Sequence, residues 1–166
     1  MKPVWWVLGG VAAWEACTAM AGKIRRRQAF KAAYAAARMR GKPLLIVGEP
    51  DGEYPCGDVV IDIREGSVCP RYVKASVEDL SMFASGQFGA CLCSHVLEHV
   101  CDPGRALSEL QRVADEVHVV YPRAHRLVTW LLPGSVWIVG RDGNQLRFRR
   151  IRRRCNSPTR LGFKPS

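Results

Sequence analysis

Short apolar runs recur at regular intervals along the middle of the chain, and they constrain its fold more than any other feature. Leu44–Val47 (LLIV) and Phe88–Cys93 (FGACLC) contain no charged side chain. Continuous apolar runs of this length are typical of strands in a parallel sheet, because such a sheet is buried on both of its faces. Three similar runs are Asp58–Ile63, Tyr72–Lys74 and Val117–Tyr121. The five runs therefore predict five strands of a mostly parallel sheet.

Helical segments precede and separate these runs. Gln28–Arg40 is rich in alanine, which favours a helix, and Gly41-Lys42-Pro43 would end it. Pro103–Ala114 places its apolar residues on one helical face, and Arg123–Leu132 predicts a further helix. Because strands alternate with helices, we predict an α/β, Rossmann-like fold.

The last part of the domain has a different pattern. Ser135–Val139 and Gln145–Ile151 are rich in β-formers, and Asp142-Gly143 lies between them. Asp-Gly between two such runs indicates an antiparallel β-hairpin. We therefore place the folded domain at residues 44–154, after a helical connector at 28–43, with a flexible tail at 155–166.

The N-terminal segment is long and poor in charge. Pro3–Gly22 has 20 residues, of which only Glu15 is charged, and a bilayer-spanning helix needs about 20 apolar residues. We predict a single transmembrane helix within residues 1–27. A cleaved signal peptide and a partly buried soluble helix remain alternatives. If the helix is an anchor, the basic run Lys23–Arg27 (KIRRR) that follows it would place the C-terminal domain on the cytoplasmic side.

The net charge of +10 is concentrated at the two flanks of the domain. Lys23–Arg27 is one basic run, and Arg147–Arg154 (RFRRIRRR) is the other. Basic flanks indicate contact with anionic lipid headgroups or with nucleic acid phosphates. The neighbouring apolar segment favours membrane lipid, and Trp130, Leu131 and Leu132 would add a second docking site if they did not cover the sheet.

Seven cysteines are present, an odd number without the spacing of a disulfide framework. There is no C-x-x-C pair, so a thiolate zinc site has little support. We predict that the cysteines are reduced and mainly buried, as in a reducing compartment.

Three segments follow predicted strands at the edge where parallel sheets bind ligands. The first is the loop Gly48–Gly52 (GEPDG), where glycine permits close approach of a ligand to the backbone. The second is Asp62, a carboxylate that can accept hydrogen bonds from a ribose diol. The third is the segment Cys93–His99 (CSHVLEH). We expect these segments to form one pocket.

The segment Phe88–Pro103 (FGACLCSHVLEHVCDP) is similar to the signature that follows the fourth strand of class I S-adenosylmethionine-dependent methyltransferases. Ala106–Val113 resembles that family's next helix and Val117–Pro122 its fifth strand. The resemblance covers about Leu44–Ile151. It implies methyl transfer from S-adenosylmethionine to an acceptor that the sequence does not identify.

The resemblance also implies roles for individual residues. Gly48, Glu49 and Gly52 would lie near the methionine part of the cofactor, and Asp62 would hold its ribose. Ser76 and Val77 would lie beside the adenine, and Cys93 and Ser94 near the sulfonium. His95 would be the general base, oriented by Glu98. No metal site is predicted.

Two alternatives remain open. Only nine residues, Gly48–Cys56, lie between the first predicted strand and Gly57, which leaves almost no room for the family's first helix. Pro50 stands where the family has glycine. A degenerate methyltransferase fold that serves as a membrane-bound interaction module is therefore the second hypothesis. His95–His99 also spells H-x-x-E-H, a zinc-peptidase motif, but no glutamate follows Glu116 to complete a metal site.

Overall fold

The fold is a parallel five-stranded sheet between two apolar layers. The computed structural model describes residues 3–122, 135–143 and 145–151, with side chains from Gly9 onward. The strands of the sheet are β1 (Leu44–Val47), β2 (Val59–Asp62), β3 (Tyr72–Lys74), β4 (Ala90–Ser94) and β5 (Val117–Val120). Their order is β3-β2-β1-β4-β5, and every pair is parallel. The predicted Rossmann-like sheet is confirmed.

Alternate residues of the central strands point to opposite faces of the sheet. Leu45 and Val47 join one apolar cluster, whereas Leu44 and Ile46 join the other. All four are buried. The alternation explains why LLIV has no polar position.

One long helix covers the face of the sheet that Leu44 and Ile46 form. Helix α1 runs without a break over Pro3–Met39, across the predicted boundary between residues 27 and 28. It packs Phe30, Ala33 and Ala37 against the sheet. Among the described residues, no helix is apolar enough over a sufficient length to cross a membrane, so the predicted transmembrane character of this helix is not supported.

The opposite face is covered by helix α2 (Pro103–Val113) and by a hairpin of β6 (Trp137–Asp142) and β7 (Gln145–Arg150). Asp102 is the N-cap of α2: its side chain accepts a hydrogen bond from the backbone N–H of Arg105 at 3.0 Å. The hairpin is antiparallel, as predicted, and forms a separate two-stranded sheet. The predicted helix Arg123–Leu132, with Trp130, Leu131 and Leu132, and the predicted tail lie outside the described residues.

The connection between β1 and β2 contains no helix within the described residues 48–58. The loop is held instead by packing and by a covalent bond. Tyr54 stacks on Phe30 of α1, with ring centres 5.4 Å apart, and Cys56 forms a disulfide with Cys69. The expectation of reduced cysteines is therefore wrong for this pair and for Cys101, which is also disulfide-bonded, and disulfides are characteristic of oxidising compartments. Cys91 and Cys93 are free and buried, as predicted.

A charged pair joins α2 to the segment before β4. Glu109 accepts hydrogen bonds from the backbone of Leu80 and from Arg112, and Arg112 also donates to the carbonyl oxygens of Leu80 and Phe83. The hydrogen bond from Arg112 is the main cause that lowers the pKa of Glu109 from 4.5 to about 2.

Because the pKa of Glu109 is lower in the folded state, its contribution to stability is complete above its ordinary value and is lost as the pH falls toward 2. We expect Glu109→Gln to lower the free energy of unfolding at pH 7 and to reduce its dependence on pH between about 5 and 2. Urea titrations across this range measure both effects. Glu65→Gln, at an exposed residue paired with Lys74, is the control, and an equal effect of both substitutions would contradict the role of Glu109.

Candidate functional site

The three segments predicted to converge line one cavity at the carboxyl ends of the strands. Its volume is about 440 Å³, within the range of small-molecule sites. The lining residues come from the loop after β1, the end of β2, the segment after β4, and α1. They are Arg26, Gly48, Glu49, Pro50, Asp51, Glu53, Tyr54, Asp62, Ile63, Arg64, Ser94, His95, Val96 and His99.

Asp62 lies at the end of β2 with its carboxylate already hydrogen-bonded. It accepts from the backbone N–H groups of Glu49 at 3.0 Å and Arg64 at 2.9 Å, and from the guanidinium of Arg64 at 3.1 Å. Burial alone would raise the pKa of Asp62, but these hydrogen bonds outweigh burial and lower it. Asp62 is therefore an ionised acceptor at neutral pH. The Arg64 side chain is 64% exposed, so it can turn away without a packing cost.

Gly48 brings the backbone of the first loop close to the segment after β4. Its φ of +92° favours glycine, and a Cβ atom there would lie 2.8 Å from Val96 and 3.1 Å from the carbonyl oxygen of Ser94. The loops after β1 and β4 can approach this closely only because residue 48 has no side chain.

His95 lies where the segment after β4 leaves the sheet. Its φ of +57° is uncommon for a residue other than glycine, and such backbone conformations occur often at functional sites. Its Nδ1 atom is 3.2 Å from Oε1 of the buried Glu98, and its Nε2 atom is 2.9 Å from a guanidinium nitrogen of Arg26. The predicted pairing of His95 with Glu98 is thus present.

Some predicted cofactor-binding residues do not line this cavity. Gly52 is exposed at the tip of its loop, and Ser76 hydrogen-bonds to the backbone of Glu78. Val77 and Cys93 are buried in the apolar cluster under α2. Burial raises the pKa of Cys93 well above its ordinary value, so this thiol stays protonated.

The sequence predictions missed four polar lining residues, Arg26, Glu53, Tyr54 and Arg64. Burial raises the pKa of Tyr54, and a hydrogen bond with Ser94 opposes that effect. Arg26 lies one helical turn before Phe30 on the face of α1 that packs on the sheet. Extending the apolar stripe of Ala37, Ala33 and Phe30 by one turn would have found it.

The structure does not provide the alternative zinc site. Residues 97–99 form a turn rather than a helix, so His95 and His99 lack the helical spacing that the motif requires. Among the described residues, no cluster of three or more His, Cys, Asp or Glu side chains is placed to hold a metal ion.

Comparison with known proteins supports one family. The family model described as a methyltransferase domain matches residues 59–116, from the start of β2 to the residue before β5. Neither the search of curated proteins nor the search of solved structures found a significant match. Together with the parallel sheet, this match to residues 59–116 supports a class I S-adenosylmethionine-dependent methyltransferase-like domain. The matched region includes Asp62 and His95, whereas α1 and the first loop lie before it.

Proposed function

We propose that this protein transfers a methyl group from S-adenosylmethionine to an acceptor of unknown identity. The observation that carries the proposal is the convergence of the loop after β1, Asp62 and the segment after β4 on one cavity. In open parallel sheets this position binds nucleotide-like ligands. The methyltransferase domain family typically binds S-adenosylmethionine, and four of the residues predicted to bind it, Gly48, Glu49, Asp62 and Ser94, line the cavity.

The charges of the cavity suit a cationic ligand. Its lining holds four carboxylates and two guanidinium groups: Glu49, Asp51, Glu53 and Asp62, with Arg26 and Arg64. The carboxylates are in excess, and they would stabilise a sulfonium by charge attraction that the cavity walls strengthen. Asp62 would accept hydrogen bonds from the ribose hydroxyls, and Gly48 would let the backbone approach the methionine part.

In this proposal the residues of the chain bind the cofactor, orient the acceptor and take up a proton. S-adenosylmethionine supplies an electrophilic methyl group when bound. His95 takes the proton of the attacking acceptor atom on Nε2, and Glu98 holds the imidazole through Nδ1. The burial of Glu98 keeps its carboxylate in one orientation. Alignment of acceptor and methyl group provides most of the rate enhancement in such a site.

The role of Asp62 gives a direct test. We expect the full chain to bind S-adenosylmethionine at a single site in calorimetry, and Asp62→Asn to weaken that binding by about 10- to 100-fold. A hydrogen bond to a charged group contributes about 1.5–3 kcal/mol, which corresponds to this change. The control is Asp79→Asn, an exposed carboxylate that does not line the cavity.

Two outcomes would contradict the proposal. If the wild type releases no heat at millimolar ligand, the degenerate, non-enzymatic interaction module is the better function. The connection between β1 and β2, which contains no helix within the described residues 48–58, favours that alternative. If Asp62→Asn and Asp79→Asn bind as the wild type does, the ligand lies elsewhere.

The predicted surroundings of the protein are separate from its chemistry. We still predict contact with membrane lipid through residues 3–22 and the basic flanks. We also predict that the domain lies on the cytoplasmic side. Nucleic acid stays the less favoured partner. The Cys56–Cys69 disulfide argues for the non-cytoplasmic side, because cytosolic proteins seldom hold disulfides.

A further inference from the structure

Arg26 of α1 connects the two walls of the cavity. Its guanidinium forms a two-pronged ion pair with the carboxylate of Glu53 on the loop after β1. The remaining terminal nitrogen is 2.9 Å from Nε2 of His95, after β4. The side chains of Arg26 and Glu53 are 17% and 21% exposed, so water screens this contact only in part.

The chemistry of arginine fixes the protonation of His95 in this arrangement. A guanidinium has only donors and keeps its proton at any ordinary pH. Nε2 of His95 must therefore accept the hydrogen bond and carry no proton. The proton of the neutral imidazole is then on Nδ1, where it is donated to Oε1 of Glu98 at 3.2 Å. Arg26 and Glu98 thus select the same tautomer from opposite sides of the ring.

We infer that Arg26 is a positioning residue of the candidate site: it holds His95 in the Nδ1–H tautomer and occupies the lone pair of Nε2 at the cavity wall. The inference deepens the proposed function and rests on it for the role of His95 as a base. It assigns part of the site to α1, outside the residues that match the methyltransferase domain.

The arrangement has a consequence for the order of events in the site. The Nε2 lone pair accepts from Arg26, so it cannot take a proton from an acceptor until that hydrogen bond breaks. The ion pair with Glu53 keeps the guanidinium in place. Glu53 also lines the cavity, so a ligand can reach it. A ligand that engages Glu53 or displaces the Arg26 donor would therefore expose the base.

Nitrogen NMR of the histidine side chains in the full chain tests the inference without any ligand. In the wild type we expect the Nδ1 resonance of His95 to be that of a protonated nitrogen, and Nε2 that of a hydrogen-bonded, unprotonated nitrogen. Arg26→Gln should move the Nε2 resonance toward the value of a free acceptor nitrogen and leave Nδ1 protonated, because Glu98 remains.

Two matched variants separate positioning from a general structural effect. Arg27→Gln changes the neighbouring arginine, which contacts the backbone carbonyl of Glu53 and not His95, and should leave both nitrogen resonances unchanged. Arg26→Lys retains a charged donor and should restore part of the wild-type Nε2 value. A wild-type spectrum with protonated Nε2 would overturn the inference even if Arg26→Gln did not fold, and so would equal spectra of wild type and Arg26→Gln. Calorimetry with S-adenosylmethionine tests the proposed function separately.

Discussion

Replacing Gly48 by valine is expected to destabilise the protein by about 2–5 kcal/mol and to abolish ligand binding at the candidate site. Two costs combine. A side chain at a φ of +92° strains the backbone, and the new Cβ would lie 2.8 Å from a methyl group of Val96 and 3.1 Å from the carbonyl oxygen of Ser94. The carbonyl is part of β4 and cannot move without breaking the sheet. Urea unfolding measures the stability, and calorimetry measures the binding.

Gly52→Val is the matched control for Gly48→Val. Gly52 also has a positive φ, +72°, but no described atom lies within 4 Å of a Cβ built there. This variant should lose only the strain term, about 1–3 kcal/mol. Equal destabilisation by the two variants would show that backbone strain alone acts, and would contradict the close approach of the two loops.

The sheet was predictable because its strands are buried on both faces. LLIV was placed correctly as β1 and Tyr72–Lys74 as β3, and the other three strands of the sheet differ from the predictions by no more than two residues at either end. Burial on both faces leaves a continuous apolar run, which is visible in the sequence without any knowledge of its neighbours. The sequence pattern of parallel strands also placed Asp62 and His95 at one edge.

The contribution of α1 to the site was not predicted, because it depends on contacts distant in sequence. Arg26 meets Glu53 27 residues away and His95 69 residues away. A run of basic residues after an apolar segment has the same appearance whether it faces lipid or a protein cavity. Only the helix geometry, with Phe30 and Ala33 buried on the same side as Arg26, separates the two interpretations.

The short loop between β1 and β2 was recognised in the sequence, but the structures that replace its missing helix were not. A helix after β1 would normally cover the sheet and fix the loop below the ligand. Here Tyr54 packs on α1, Arg27 donates to the backbone carbonyl of Glu53 at 3.0 Å, and Cys56 is bonded to Cys69. Disulfide connectivity cannot be deduced from cysteine spacing alone, so this pair could not be predicted.

Removing the Cys56–Cys69 bond with the double substitution Cys56→Ser, Cys69→Ser is expected to lower the free energy of unfolding by about 3 kcal/mol. The bond closes a short loop, with a sequence separation of 13 residues, and restricts the unfolded chain. In the folded state it joins the connection between β1 and β2 to the one between β2 and β3. The double variant should therefore also bind S-adenosylmethionine more weakly, because Glu49 and Glu53 belong to the freed loop.

Substitution is a cleaner test of this bond than a reducing agent, because Cys101 is disulfide-bonded as well. Cys17→Ser, at an exposed free thiol, is the control and should leave both stability and ligand binding unchanged. Alkylation of the denatured, unreduced protein followed by mass spectrometry checks the bond itself. Alkylated Cys56 in the wild type, or a double variant as stable as the control, would mean that packing of Tyr54 on Phe30 and the contacts of Arg26 and Arg27 hold the loop without covalent help.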